Sequence, residues 1–423
     1  MWMKGDMKSS QTTSVSRSVA VWSLVGLVLL TINLRAAITG ISPVLGDLRE
    51  AFGLSGAEVG MLTTLPVLCL GVFAAVAPVV ARRFGAETAI AGSLVMITAG
   101  IVLRVVQSPV SLFFGTVLAG AGIAMGNVLM PAVIKRAFPT RVGSLTGLAM
   151  MLMAGSGAVA AGLAVPLDEA GGWRLALAVW AVPSLVAALV WGPLAVRGRR
   201  APAAAAVASR AGGSLLRSPA AWFVAVFMGL ASLMFYVLMS WLPEIMRDAG
   251  YTPAAAGMMV STMMIVGIPL GFFVPVFAAR LRDQRPFVVA VAATMVAGLA
   301  GLLLVPSAGW VWVVVLGTGT GSAFPLAYTL LSLRSPSPPV AASLSGMAQT
   351  GGYLLAAAGP FAVGFLHGVT GGWDVPVVLL LALVVPELVF GLLAARPGFV
   401  RPAGSRTPLV EPKGLAAEPV RVR

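Results

Sequence analysis

Charge is scarce in this chain. Of 423 residues, 10% are charged and 59% hydrophobic, with a mean hydropathy of +0.97. A soluble protein carries about a quarter of its residues charged. The length suits two or three soluble domains, but the polar surface to coat them is missing, so the solvent for much of the chain is lipid. Cysteine and histidine are scarcer still, at one each. Cys69 alone excludes a disulfide within the chain, and with only His367 beside it a Cys/His zinc site has no ligand set. HExxH and Asp-rich motifs are also missing, which removes the usual marks of a membrane metalloenzyme. No catalytic residue, metal or other cofactor is called for.

What the chain has is long apolar runs. A spanning helix needs about 20 mostly apolar residues, and twelve runs meet that length. They lie at 19–46, 57–80, 88–106, 110–134, 143–166 and 174–196, then 220–246, 257–279, 287–305, 310–332, 342–367 and 375–395. A β-barrel is excluded because no alternating ten-residue pattern appears. The first run follows a polar stretch of 18 residues and is too long for a signal-peptide core, so it is expected as an uncleaved anchor. The formal net charge of +14 does not point to nucleic acid, because the basic residues sit in short clusters between apolar runs. Placing the N-terminus in the cytoplasm assigns the clusters to one side and leaves Arg49, Arg104, Arg174 and Arg247 on the other, as the positive-inside rule requires. Both tails then fall inside, at the inner (cytoplasmic) membrane. Arg35 belongs to neither side.

The two halves repeat each other. GGWR at 171–174 answers GGWD at 371–374, and SLTG at 144–147 answers SLSG at 343–346. Trp22 and Pro43 answer Trp222 and Pro243, and PVVARR at 78–83 resembles PVFAAR at 275–280. The expected organisation is a tail (1–18), a six-helix bundle (19–196), a cytoplasmic linker (197–219) whose Ala run could form a short helix, a second six-helix bundle (220–395) and a tail (396–423).

Two parallel six-helix repeats joined by a cytoplasmic loop are the layout of the major facilitator superfamily. The stretches NLRAAITGISPVL (33–45), LTTLPVLCLGVFAAVAP (62–78), GAGIAMGNVLMPAVIKRAFP (120–139) and GGWRLAL (171–177) resemble the cyanate/nitroimidazole transporter family within it. The resemblance implies an all-α, twelve-helix membrane fold, alternating access and a small substrate, often a small anion or a nitro-aromatic compound. In one place the chain departs from the superfamily. The loop after the second helix usually reads Gly-x-x-x-Asp-Arg-x-Gly. Arg83 and Gly85 keep that pattern, while Pro78, Arg82 and Glu87 break it, so the charge latch of that loop does not carry over unchanged.

Arg35 is the residue that most demands an explanation. A charge at the centre of a spanning helix costs about 2.5–3.5 kcal/mol even on mild scales. Thr31, Arg35, Thr39 and Ser42 share one helical face, and a guanidinium fork flanked by hydroxyls suits a small anion. The alternative is a structural arginine bonded to carbonyls at a helix break near Gly40 and Pro43. Ser232, Tyr236 and Ser240 form a stripe on the seventh run, with Trp241 beside it, and Ser345, Gln349 and Tyr353 form one on the eleventh. Each stripe either completes a site or holds helices together, and the same choice applies to Asn127. Asn33 lies around the helix from Arg35 and is expected to bond a neighbouring helix.

For coupling, no acid falls in the membrane core of runs one to six, Glu58 standing at the external end of the second, which favours an anionic or neutral substrate over a cationic one. Glu244 and Glu387 are the candidate proton carriers, and Glu244 also reads as an exposed helix-end charge. Arg83 is the candidate gating residue. His367 reads as interfacial, and the Gly-Gly-Trp segments as tight turns with interfacial Trp anchors. The partners expected are a small anionic solute and the lipid bilayer, with possible proton coupling and a monomeric chain. The alternatives are efflux of a neutral or nitro-aromatic compound and a sensor that transports nothing.

Overall fold

The computed structural model describes residues 17–41, 44–199 and 215–400. Both expected tails lie largely outside these residues, as do most of the linker and its Ala run. The described residues form helices joined by short turns, with no strand among them. In hydrocarbon, every backbone N–H and C=O must find its partner within the segment, and apolar runs of this length satisfy that only as helices. The helices are α1 (Arg17–Thr39), α2 (Leu45–Phe52), α3 (Gly56–Ala74), α4 (Ala77–Phe84), α5 (Ala86–Arg104), α6 (Pro109–Ala137) and α7 (Val142–Ala178). They continue as α8 (Ala181–Arg199), α9 (Pro219–Asp248), α10 (Pro253–Arg280), α11 (Arg285–Leu304), α12 (Gly309–Leu333), α13 (Pro338–Thr370) and α14 (Asp374–Ala394).

Among the described residues, 10 helical segments are long and apolar enough to cross a membrane, or 11 when α3 and α4, bent by 49°, count as one. One of these segments, Val142–Val196, runs for 55 residues. At 1.5 Å per residue that is about 80 Å, more than twice the roughly 30 Å of a hydrocarbon core. It breaks at Gly171 and Gly172, the latter at φ 73° and ψ 172°, a left-handed conformation that favours glycine. After the break the chain runs back along α1. Trp180 lies beside Gly40, Asn33 donates to the Pro183 carbonyl (3.2 Å), and Trp191 donates to the Gly26 carbonyl (2.9 Å). The segment therefore makes two crossings, and the total is twelve.

The first crossing is shorter than its apolar run suggests. The N–H of Ile41 turns to Ile38 instead of Ala37 (3.3 Å), and Pro43 has no N–H with which to continue. The eight residues of α2 follow, bury Leu48 and end at Gly53 with φ 64°. This short amphipathic helix falls partly on what was expected as a loop.

The halves repeat in packing as well as in sequence. α1 packs on α7 as α9 packs on α13, and α5 on α6 as α11 on α12. Small residues permit these approaches. A Cβ on Gly100 would meet the Ala119 backbone at 2.5 Å, and the Cα atoms of Gly229 and Gly352 face each other across α9 and α13.

Where the apolar cores lie defines the shape. One core cluster joins residues of both halves, from Leu27 to Trp191 and from Ala221 to Val400. It lies toward the end carrying Arg82, Arg83, Arg136, Arg282 and Arg285, here called the basic end. Toward the opposite end there are two separate clusters. One holds only first-half residues such as Val44, Leu48 and Trp173, and the other only second-half residues such as Leu238, Met259 and Val377. At the basic end, Cβ atoms built on Gly143 and Gly147 of α7 would meet Ala279 and the Phe272 carbonyl of α10 at 2.4 and 2.5 Å. Gly346 of α13 fits against Pro78 of α4 in the same way. The halves are thus pressed together at one end and carry separate cores at the other.

Candidate functional site

Arg35 lies midway along the bundle, where α1 crosses the middle of α7. Gly157 lies at that crossing, where an added Cβ would make ordinary contact, 3.5 Å, with the Arg35 Cβ and the Thr39 side chain. The Thr39 hydroxyl donates to the Gly157 carbonyl (3.0 Å) and fixes the two helices together. Arg35 is partly exposed and stands in no ion pair among the described residues. Three of the chain's four tyrosines, Tyr236 of α9, Tyr328 of α12 and Tyr353 of α13, lie in one electrostatic cluster with it. The arrangement places a permanent cation from the first half among phenol groups from the second.

The other expected residues are placed less uniformly. Thr31 is fully buried, and its hydroxyl is committed to the Val28 carbonyl (2.9 Å). Asn33 bonds α8, as noted above. Asn127 and Gln349 meet where α6 crosses α13. The Gln349 amide donates to Ser345 Oγ (2.7 Å) and the Asn127 carbonyl (3.4 Å), while Asn127 Oδ1 and Gln349 Oε1 are buried without a partner. Ser232 is bonded to the Met228 carbonyl within its own helix (2.7 Å), whereas Ser240 is exposed on the same helix. Glu244 is exposed. Arg83 is exposed too, with its guanidinium over the Phe84 ring at 5.4 Å. Glu387 of α14 is 1% exposed, and neither of its oxygens has a partner.

Two functional candidates escaped the sequence reading. Tyr328 sits in a largely apolar run beside Thr329, yet it stands close to the repeat position of Asn127, which is the signal that could have found it. Arg104 was assigned to the external side with the other run-end charges, and its burial was not foreseen: it is 1% exposed, sealed between α1, α5 and α6. The Gly-Gly-Trp expectation is corrected in part. Gly172 and Gly371 do take positive φ, but Trp173 is buried against Phe52 with ring centroids 5.2 Å apart. Trp373 is stacked on His367 at 3.9 Å and donates to Asp248 (2.7 Å).

At the basic end, Lys135 of α6 crosses to the other half and donates to the Ser332 carbonyl of α12 (2.8 Å). Arg334, at the matching end of α12, stays within its own half. Its guanidinium caps α14 at the Ala394 and Ala395 carbonyls (2.9 and 2.7 Å) and bonds Gln284. Burial holds the Arg334 guanidinium below its ordinary pKa, and Asp283 opposes that shift. Phe399 approaches Lys135, and the Val400 N–H donates to the Arg334 carbonyl (2.7 Å), so the segment after α14 folds under the bundle. A cavity of about 220 Å³ opens there among Arg282, Gln284, Arg334 and Phe399. It lies at the basic end, away from Arg35 at mid-bundle, and shares no residue with that cluster.

Comparison with known proteins gives the arrangement a context. The family model described as Major Facilitator Superfamily matches residues 27–360. The chain is 38% identical to the 2-nitroimidazole transporter of Escherichia coli (strain K12), over 92% of this chain and 99% of that one. It is 29% identical to the cyanate transport protein of the same organism, over 83% of this chain and 91% of the other. The solved structure of the transporter FucP in the outward conformation superposes with a TM-score of 0.70 at 12% identity, covering 88% of this chain and 98% of that one.

Proposed function

Because the chain belongs to the major facilitator superfamily, as a multi-pass membrane transporter related to nitroimidazole and cyanate transporters, we propose that it carries a small anion by alternating access and binds it at Arg35. The observation that carries this reading is the unpaired guanidinium at mid-bundle. Such a charge is costly in a membrane unless it meets an opposite charge or water, and no carboxylate of the described residues pairs with it. A bound anion supplies the missing partner, and the planar fork orients it through two parallel hydrogen bonds. Tyr236, Tyr353, Thr39 and Ser240 provide hydroxyls for the same site, whereas the unpartnered amide oxygens of Asn127 and Gln349 accept only and so suit a donor group on a neutral substrate.

The basic end is read as cytoplasmic, at the inner membrane, with both tails on that side. On this reading the described conformation is closed inward and open outward. A monomer holds the whole site. Glu387 is the candidate coupling group, since its unpartnered carboxyl inside a span has no structural use that the neighbouring residues reveal. The second reading, a neutral nitro-aromatic substrate, is favoured by the relative that carries 2-nitroimidazole and by the three phenol rings.

The test is equilibrium binding of cyanate, nitrate and 2-nitroimidazole to purified protein. Arg35→Ala should weaken anion binding by about 100-fold or more, the scale expected when one partner of a buried charged contact is removed. Arg35→Lys should recover only part of it, because the fork is lost. Melting temperature should not fall, since no partner group is left behind. Unchanged anion affinity in Arg35→Ala would overturn the proposal, and retained nitroimidazole affinity would favour the neutral substrate.

A further inference from the structure

The first half buries a second guanidinium that the binding reading does not use. Arg104 is 1% exposed and faces no carboxylate among the described residues. Its Nη1 donates to the Ala37 carbonyl at 2.6 Å and its Nε to Thr116 Oγ1 at 3.1 Å, while Nη2 has no partner. Thr116 in turn donates to the Leu112 carbonyl at 2.8 Å. A buried permanent charge held on one carbonyl and one hydroxyl is an expensive way to join helices if joining them is all it does.

The carbonyl it takes is not an arbitrary one. In a continuing helix the Ala37 oxygen would receive the N–H of Ile41, but that N–H goes to Ile38. The break in α1 therefore frees an acceptor in the membrane interior at the negative end of the helix dipole. A cation is the group that best satisfies it there. The freed carbonyl lies two residues from Arg35. Two other contacts fix the same turn: the Thr39 hydroxyl on Gly157, and Gly40 against the Trp180 indole. Arg104 supplies the third, and the only charged one among those described.

We propose that Arg104 is a positioning residue for the binding site: it clamps the broken end of α1 and so sets the direction from which Arg35 meets its ligand. This inference rests on the binding role of Arg35, but its central claim about α1 can be tested apart from that role. Full-length protein in nanodiscs is compared as wild type, Arg104→Met, Arg104→Lys and Thr116→Val. Amide hydrogen exchange is read over residues 36–41, together with binding of the tightest-binding of cyanate, nitrate and 2-nitroimidazole.

In Arg104→Met, exchange over 36–41 should rise by about tenfold while α9–α12 remain unchanged, and affinity should fall by a similar factor. Arg104→Lys can still reach Ala37 and should restore most of both. Thr116→Val tests the clamp without removing the charge, and should give a smaller shift in the same direction even if the Met variant does not fold. Unaltered exchange over 36–41 in both Arg104→Met and Thr116→Val would overturn the clamp. Faster exchange with unchanged affinity would overturn the positioning role and leave a purely structural arginine. If Arg35→Ala binds normally, the anion reading fails on its own, and the exchange measurement still decides whether Arg104 holds α1.

Discussion

The two halves share a scaffold and differ in chemistry. Equivalent helices pack on one another, glycines open the same kinds of crossing, and a Gly-Gly-Trp turn closes each half at the same end. The charges do not follow the repeat. The first half places two guanidinium groups, Arg35 and Arg104, inside its spans with no acid beside them. The second contributes Tyr236, Tyr328, Tyr353 and Gln349, and its one buried carboxyl, Glu387, lies on another helix. Lys135 and Arg334 differ in the same way, one reaching across to the opposite half and the other capping a helix of its own. Packing geometry is costly to change, because several crossings, such as those at Gly100, Gly147 and Gly229, bring backbones together at glycine. A single polar side chain at a cavity wall is much freer to change. Duplication thus preserved the frame, and a cation from one half now faces hydroxyls from the other.

The largest expected effect comes from disturbing what the halves share. Gly147→Leu would drive a side chain into the Phe272 backbone, which cannot yield as a flexible side chain can, so the basic end should no longer close. A Gly271→Cys reporter in a Cys69→Ser background should then react with an impermeant thiol reagent at least about tenfold faster, a shift of about 1.4 kcal/mol in the closure equilibrium. That reaction should be seen only from the cytoplasmic face. Labelling from the external face would reverse the proposed orientation, and an unchanged rate would mean that this contact does not hold the end shut.

A smaller effect is expected where the halves differ. The buried Tyr328 hydroxyl lies beside the Tyr353 hydroxyl but makes no close hydrogen bond, so Tyr328→Phe should lower the melting temperature little. If that hydroxyl bonds the substrate, affinity should fall by about three- to tenfold, the worth of one neutral hydrogen bond. A lowered melting temperature with unchanged affinity would assign Tyr328 to the frame. The smallest effect on binding is expected at Glu387. Glu387→Gln should leave affinity within about threefold, as remote substitutions do, while net uptake driven by a proton gradient stops and exchange of bound substrate continues. Gradient-driven uptake at the wild-type rate would remove Glu387 from coupling.

Much of the frame was legible in the sequence because lipid leaves few choices. An apolar run of twenty residues has only the helix open to it, and the repeated GGW, SLTG/SLSG and Trp/Pro pairs announced the duplication. Arg35 stood out for the same reason, as a charge with no polar stretch to excuse it. Arg104 was hidden because it ends its run, where a surface charge and an inward cap look alike. Only the freed Ala37 carbonyl, created by the break in another helix, distinguishes them. Tyr328 was hidden because a tyrosine in a largely apolar run reads as packing, and α2 by its length. The pairing of Asn127 with Gln349 depends on how two distant helices cross, which no spacing along one chain encodes.

The glycine contacts at the basic end bear on insulation. Where Gly147 meets the Phe272 carbonyl, the backbones of the two halves lie too close for even a methyl group between them. A water molecule is larger than the space such a contact leaves, so no file of waters can thread the halves there. A carrier of small solutes has to move its cargo without letting protons leak along the same route. Backbone pressed against backbone provides that tightness with no charged plug to dislodge.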